Sequence, residues 1–405
     1  MAAELDEWTG KQPRRKERRV AGKRQRLAQR RKLIGLSQEH LAEKLGVDRS
    51  TIVRWERAET DPQPCHRPRL ATTLRVSVEE LADLLADVGR PPEPPNERLE
   101  YVLRYPQRVD LVTVAYLREC VQRLDERYDH TPSTRLLADA GQLHGQVLFL
   151  RQHANSGVQH ALAATVGESA TLMGQLVWDA SQRREHAASA AYFEQAINAA
   201  QETRDFVTEG NALLRQSFLA LYGTGQPTKA LALTSKAAQV SCGDSDVIAG
   251  LAHLHRAEAH AILGQDRDCS RALSLAETHL RAADQNDPAK ILFAPSQFAQ
   301  LEGSCWLFLN RPDKALAALQ TARKFTHSQR KSTAVILGNL VLASILRRDV
   351  EAATSYLHQT INVIELNRSG GGLKLAFTAA QALRPWRAKP AVQDVKDRLL
   401  TLMTS

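Results

Sequence analysis

Three sets of side chains could do chemistry. The first is basic: twelve Lys and Arg residues fall between Lys11 and Lys32, and Arg49, Arg54 and Arg57 follow. Residues 11–60 carry 16 basic and 6 acidic side chains, whereas residues 91–405 carry 34 and 31. A cationic stretch beside a near-neutral body suits an anionic polymer or surface, although a solvated tail that only aids solubility has the same charge. The second set is His253, His255, Glu258 and His260. His253 and His260 lie two turns apart on one helical face, and a metal site there needs further ligands at closer spacing. The third set is the five cysteines, Cys65, Cys120, Cys242, Cys269 and Cys305. With no CxxC pair they form neither a disulfide framework nor a zinc module and read as small buried apolar groups. There is no phosphate-binding glycine loop, GxSxG or HExxH, so neither enzyme activity nor a cofactor or metal is expected.

The elements that carry these residues should be helices. Of 405 residues, 43% are apolar and 24% charged, ordinary globular usage. Ala and Leu are abundant and β-branched runs scarce, which predicts an all-α chain. No apolar run nears the roughly 18 residues of a membrane span. The N-terminus has no apolar stretch of the secretory kind, so a soluble cytoplasmic protein, associated with the nucleoid, is expected. Four prolines between Pro91 and Pro95 cannot continue a helix and favour an extended spacer. The expected organisation is a disordered basic tail (1–20), a compact helical module (21–90), a Pro-rich linker (91–96) and a long series of amphipathic helices (97–405). Gly370-Gly371-Gly372 reads as a flexible break before the last helices.

Residues 38–57, QEHLAEKLGVDRSTIVRWER, contain the most constrained pattern. Ala42 sits where two helices cross closely enough to admit only a small side chain. Gly46 falls in a tight turn that wants left-handed backbone. Leu41, Leu45, Val47, Ile52 and Trp55 supply the apolar face. Ser37 suits the N-cap of the first helix, and Asp48 or Ser50 that of the second.

With these residues the module resembles a helix-turn-helix of the phage-repressor (Cro/C1, or Xre) family, a lambda-repressor-like fold. The resemblance covers Val20 to Val88, including Leu36-Ser37-Gln38-Glu39-His40-Leu41-Ala42 and Trp55-Glu56-Arg57. It implies two further short helices near Arg69–Leu74 and Val78–Ala86. Two positions depart from the pattern. Arg30 stands where an apolar residue is usual, its stem covering the core with the head in water. Ala58 stands where Gly often ends the recognition helix.

The family's recognition helix, here about Asp48 to Arg57, enters the major groove. Arg49, Ser50 and Thr51 then lie in the first turn, able to reach bases, and Arg54 reaches a further base or a phosphate. The resemblance has Gln38 touching the DNA backbone or bracing the recognition helix. Arg57 and the basic residues of helix one would bind phosphates. Trp55 reads as core, and Glu56 as the partner of a helix-one arginine such as Arg31.

Beyond the linker a phrase recurs: a small residue, a larger one four on, a small or polar one three further. It occurs as Ser189-Phe193-Ala196, Ala230-Thr234-Ala237, Cys269-Leu273-Ala276, Ala315-Leu319-Ala322 and Ala353-Leu357-Thr360, with starts 41, 39, 46 and 38 residues apart. Small residues at these points let helix pairs stack into a continuous core. The pattern resembles a degenerate tetratricopeptide array, an α-solenoid whose concave groove holds a peptide, a protein segment or a small ligand. With this phasing Gln175, Arg215, Gln216, Tyr222, His255, Glu258, Gln300 and Asn339 face the groove, where polar amides suit a peptide backbone.

The joined architecture looks like transcription regulators common in actinobacteria and is similar to peptide-responsive quorum-sensing receptors of Gram-positive bacteria. That resemblance implies a homodimer on a palindromic double-stranded operator, with an effector in the repeat groove. An interaction scaffold whose basic head binds DNA without sequence preference is the alternative.

Overall fold

The computed structural model describes residues 24–34, 36–74, 76, 78–86, 97–326 and 330–404. The tail at 1–20 and the Pro-rich segment at 91–96 lie outside the described residues. Helices account for 81% of the described residues, and no strand occurs among them, so the fold is all-α. Two compact units divide between Glu100 and Tyr101.

In the first unit, α1 (Gln25–Leu33), α2 (Gln38–Leu45), α3 (Arg49–Glu56), α4 (Arg67–Leu74) and α5 (Val78–Ala86) enclose one core. Ser37 Oγ caps α2 by accepting the His40 N–H at 3.1 Å. α2 ends at Gly46, whose φ of +70° a side chain would strain. Asp48 occupies the N-cap position of α3 without a capping hydrogen bond. Ala42, 3% exposed, and Leu41, Ile52 and Trp55 pack at the crossing.

Ala58, past the end of α3, has φ +54°. The left-handed region disfavours a Cβ, so this alanine does a glycine's work under strain. Ala58→Gly is expected to stabilise the first unit by up to about 1 kcal/mol. The measurement is its thermal midpoint in calorimetry of the full chain, which should rise.

The second unit is a stack of antiparallel helices. α6 (Glu97–Arg104) spans the division between units and leads into α7 (Leu111–Tyr128), α8 (Ser133–His153), α9 (Ser156–Ala180) and α10 (His186–Thr203). α11 (Phe206–Phe218) continues into a π-helical turn over Leu219–Gly223. α12 (Pro227–Val240), α13 (Asp246–Ile262), α14 (Asp266–Ala282), α15 (Pro295–Phe308) and α16 (Pro312–Lys324) follow. The last are α17 (Lys331–Leu346), α18 (Val350–Asn367), α19 (Gly370–Ala382) and α20 (Pro390–Thr404). Each odd-numbered helix from α7 to α19 packs against the next odd one as well as against its even neighbour, as in a solenoid.

The recurring phrase lies on α10, α12, α14, α16 and α18, and every residue of it is buried. The odd helices answer with glycine. A Cβ on Gly303 would stand 2.5 Å from Leu319 Cγ, and one on Gly250 2.6 Å from Leu280 Cγ. Backbone therefore touches side chain at these crossings, and any larger residue would push the pair apart.

The stack also closes on itself. Lys331, at the start of α17, and Gly370, at the start of α19, both meet Asp179 at the end of α9. Gly370-Gly371-Gly372 is thus no flexible break: the three glycines form the first turn of α19 and are buried. Ser369 Oγ caps that turn at Gly372 N, 3.1 Å away. A Cβ on Gly370 would meet Asp179 O at 2.8 Å, and one on Gly371 the Arg183 guanidinium. Close approach, which local sequence does not reveal, is what these glycines supply.

Candidate functional site

The exposed face of α3 carries Arg49, Ser50 and Arg54, with Thr51 half-buried and Arg57 exposed just beyond the helix. Arg49 Nε lies 2.6 Å from Glu39 Oε1, and both side chains are exposed. Hydrogen bonds from its own backbone and from Ser37, with Arg49 beside it, keep the Glu39 carboxyl below its ordinary pKa. Water and salt screen such a pair, so Arg49 is free to exchange it for another acceptor.

Behind this surface α3 is held from two sides. Arg31 of α1 donates to Glu56 Oε1 at 2.7 Å and to Leu36 O at 2.7 Å, with side-chain exposures of 6% for Arg31 and 9% for Glu56. Gln38 of α2 donates to Glu56 Oε2 at 2.6 Å. Gln38 is therefore a brace in this structure, and it shares a surface recess with Arg49, Val53 and Arg57.

Three described arginines in or just before helix one, Arg24, Arg30 and Arg31, are tied to groups of their own unit. Arg24, just before α1, is buried and donates to Leu85 O at 2.6 Å, Trp55 O at 3.0 Å, Thr60 O at 2.9 Å and Asp61. Arg31 is committed to Glu56, and Arg30 Nε donates to Leu74 O at 2.9 Å at the end of α4. The Arg30 head thus finishes a helix terminus instead of standing in water. Lys32 stays exposed.

In the second unit, five of the eight groove positions line one cavity of about 610 Å³: Tyr222, His255, Glu258, Gln300 and Asn339. Gln175 and Arg215 line a separate recess of about 170 Å³ beside Asp125, and Gln216 lines neither. Burial pushes the Asp125 carboxyl pKa up, against the opposing charge of Arg215.

The floor of the larger cavity is a hydrogen-bonded set. Tyr222, placed by the π-helical turn, donates its hydroxyl to Glu258 Oε2. His255 Nδ1 lies 3.2 Å from the Tyr222 oxygen and 3.4 Å from Glu258 Oε2. Burial, and then the Glu258 charge, push the Tyr222 pKa well up, so the phenol keeps its proton. Asn339 Nδ2 donates to Ser304 Oγ at 2.9 Å. Arg183 lies over the Trp178 ring at 4.6 Å and the Tyr222 ring at 5.7 Å. Lys374 donates to the Tyr222 carbonyl. Arg183, Ser304 and Lys374 escape a sequence reading, since Arg183 lies in a turn and Lys374 follows the supposed break.

The histidine cluster is dispersed over separate contacts. His253 stacks on His279 with ring centroids 5.4 Å apart, while His260 pairs with Gln265. Burial, His279 and Arg256 together lower the His253 pKa to about 4. Among the described residues no group of three or more His, Cys, Asp and Glu is placed to hold a metal ion. Of the cysteines only Cys269 and Cys305 are buried, whereas Cys65 and Cys242 are exposed and Cys120 is partly so, which corrects the reading of all five as core.

No described helix is long and apolar enough to cross a membrane. No curated protein matches the chain. The helix-turn-helix family model matches residues 27–81, the span from α1 into α5, so the first unit carries a helix-turn-helix domain of the kind found in DNA-binding regulators.

Proposed function

We propose that the chain is a sequence-specific transcriptional regulator that binds a palindromic operator as a homodimer. In this reading the helical body binds an effector that changes operator affinity, and the protein performs no catalysis. The observation that carries it is the division of α3 into two faces. Glu56 and Trp55 are locked inward, while Arg49, Ser50 and Arg54 are exposed at the other side, Arg49 in a surface pair with Glu39. A helix held this rigidly presents its polar end in one orientation, as base readout in the major groove demands. For the effector to act, it must bind one state of the body more tightly than the other.

The test is selection of fragments bound by the purified full chain from its source genome, followed by titration on the selected and scrambled duplexes across salt. A shared two-fold site is expected. Arg49→Ala should lose about 1–3 kcal/mol of discrimination at one base pair. Arg57→Ala should weaken all duplexes alike and lower the salt slope by about one. Equal affinity for selected and scrambled duplexes would instead favour the scaffold with a non-specific head.

A further inference from the structure

The Tyr222 cavity differs from a peptide groove in where its polar groups lie. Antiparallel neighbours leave alternate helices of the stack running the same way. Along α15, Gln300 and Ser304 precede Leu307; along α17, Asn339 precedes Leu342 and Ile345. Toward the C-terminal ends of α15 and α17 hydrocarbon therefore prevails, although Val335 on α17 and Thr378 on α19 keep the division from being complete. An extended peptide needs amide partners along its whole length, and a wall divided in this way does not offer them. The volume, about 610 Å³, falls among small-molecule sites, roughly 300–1,000 Å³.

Two observations specify the polar end. Arg183 and Lys374 both line it, and neither reaches a carboxylate among the described residues. Arg183 Nε is buried with no partner at all. Lys374 spends one of its three donors on the Tyr222 carbonyl and keeps two. Burial, and then the like charge of Arg183, lower the Lys374 pKa, as befits two cations that share no counter-ion.

The second observation is His255 Nε2, buried and without a hydrogen-bond partner on a side chain 5% exposed. Nδ1 is turned toward the Tyr222 oxygen and Glu258, which suits the tautomer that donates from Nδ1. Nε2 is then an acceptor waiting for a donor. Glu258 brings one opposing charge to this end, with its carboxylate engaged by the Tyr222 hydroxyl, and the two cations Arg183 and Lys374 outnumber it.

The geometry points to a small amphipathic monocarboxylate as the ligand of this cavity, with a hydrocarbon chain and at least one hydroxyl or N–H donor. Its carboxylate pairs with Lys374 and Arg183, its donor meets His255 Nε2, and its chain lies along Leu307, Leu342 and Ile345. This inference rests on the effector part of the proposed function and not on DNA recognition. Its test uses no DNA, so the two can fail separately.

The experiment is calorimetric titration of the full chain with 3-hydroxydodecanoate and with its methyl ester, which keeps the chain and hydroxyl but removes the charge. One acid per chain is expected, with the ester weaker by about tenfold or more, the worth of one charged hydrogen bond. Lys374→Gln, a change at an exposed residue, should bring the acid most of the way down toward the affinity of the ester, Arg183 keeping the remainder, and leave the ester unchanged. Leu342→Trp, which fills the apolar end, should abolish binding of both while circular dichroism stays that of the parent. Equal affinities for acid and ester, several acids per chain, or a Leu342→Trp variant that binds normally would each overturn the assignment. Tight binding of an uncharged hydrophobic pentapeptide amide in place of the acid would overturn it in favour of a peptide.

Discussion

Glu56→Ala is expected to unfold the first unit and abolish DNA binding while leaving the helical body intact. Arg31 would keep its buried position with only the Leu36 carbonyl for a partner, and Gln38 would lose its acceptor. Removing one member of a buried pair costs about 3–5 kcal/mol, because the remaining charge is stranded away from water. A small domain has a total stability of roughly 5–15 kcal/mol, and this unit of short helices stands at the low end of that range, where the change consumes most of it. Glu56→Gln keeps an acceptor oxygen near Arg31 and should lie between the two. Calorimetry of the full chain would show the first unit's transition lost and the body's retained. Arg49→Ala, by contrast, should leave both transitions in place, which separates loss of folding from loss of base contacts. A Glu56→Ala chain that melts and binds DNA like the parent would show that the brace is dispensable.

The second large effect is expected at the closure of the body. Asp179 accepts from Lys331 Nζ at 2.8 Å, from Ser133 Oγ at 2.7 Å and from Gly370 N at 3.0 Å. Lys331 in turn donates to Ser133 Oγ at 2.7 Å and lies 3.9 Å from the centre of the Tyr128 ring. Burial pushes the Lys331 pKa down, and Asp179 is the main influence holding it up. Asp179→Ala removes that influence and should destabilise the body by about 3–5 kcal/mol, seen as a lower thermal midpoint. Hydrogen exchange should quicken first in α9, α17 and α19, the helices that meet there. The double change Asp179→Leu with Lys331→Met should recover much of the loss, since exchanging a buried pair for apolar groups is often neutral. Equal instability of single and double variants would mean that shape and not charge holds the closure.

The helix-turn-helix was legible because each of its special positions is decided locally. Ser37 caps, Gly46 turns and Ala42 admits a neighbour, whatever the rest of the chain does. The repeat phrase was legible for the same reason, since small residues at fixed spacing mark one helix face. Burial of charge was legible at one place, the pairing of Glu56 with Arg31, and not at Arg24. Arg24 belongs by sequence to a basic stretch and by structure to the interior, because the partners of its side chain lie 31 to 61 residues away. The groove was legible in part. Tyr222, His255, Glu258, Gln300 and Asn339 share a cavity, but Gln175 and Arg215 turn to another recess. The superhelical twist that decides this accumulates over many small rotations and is written in no single segment.

Arrays of repeats ordinarily assemble neighbour by neighbour, so a fragment can be nearly as well formed as the whole. Here the bonds from Lys331 to Ser133 and from Gly370 to Asp179 span 198 and 191 residues. Contacts of such long range raise the contact order and slow the last step of folding. A nascent chain leaving the ribosome can stack its early helices long before α17 and α19 exist, but its ring stays open until they emerge. The cavity is thus complete only once α19 has emerged, and a chain terminated before α19 would carry the helix-turn-helix unit without it.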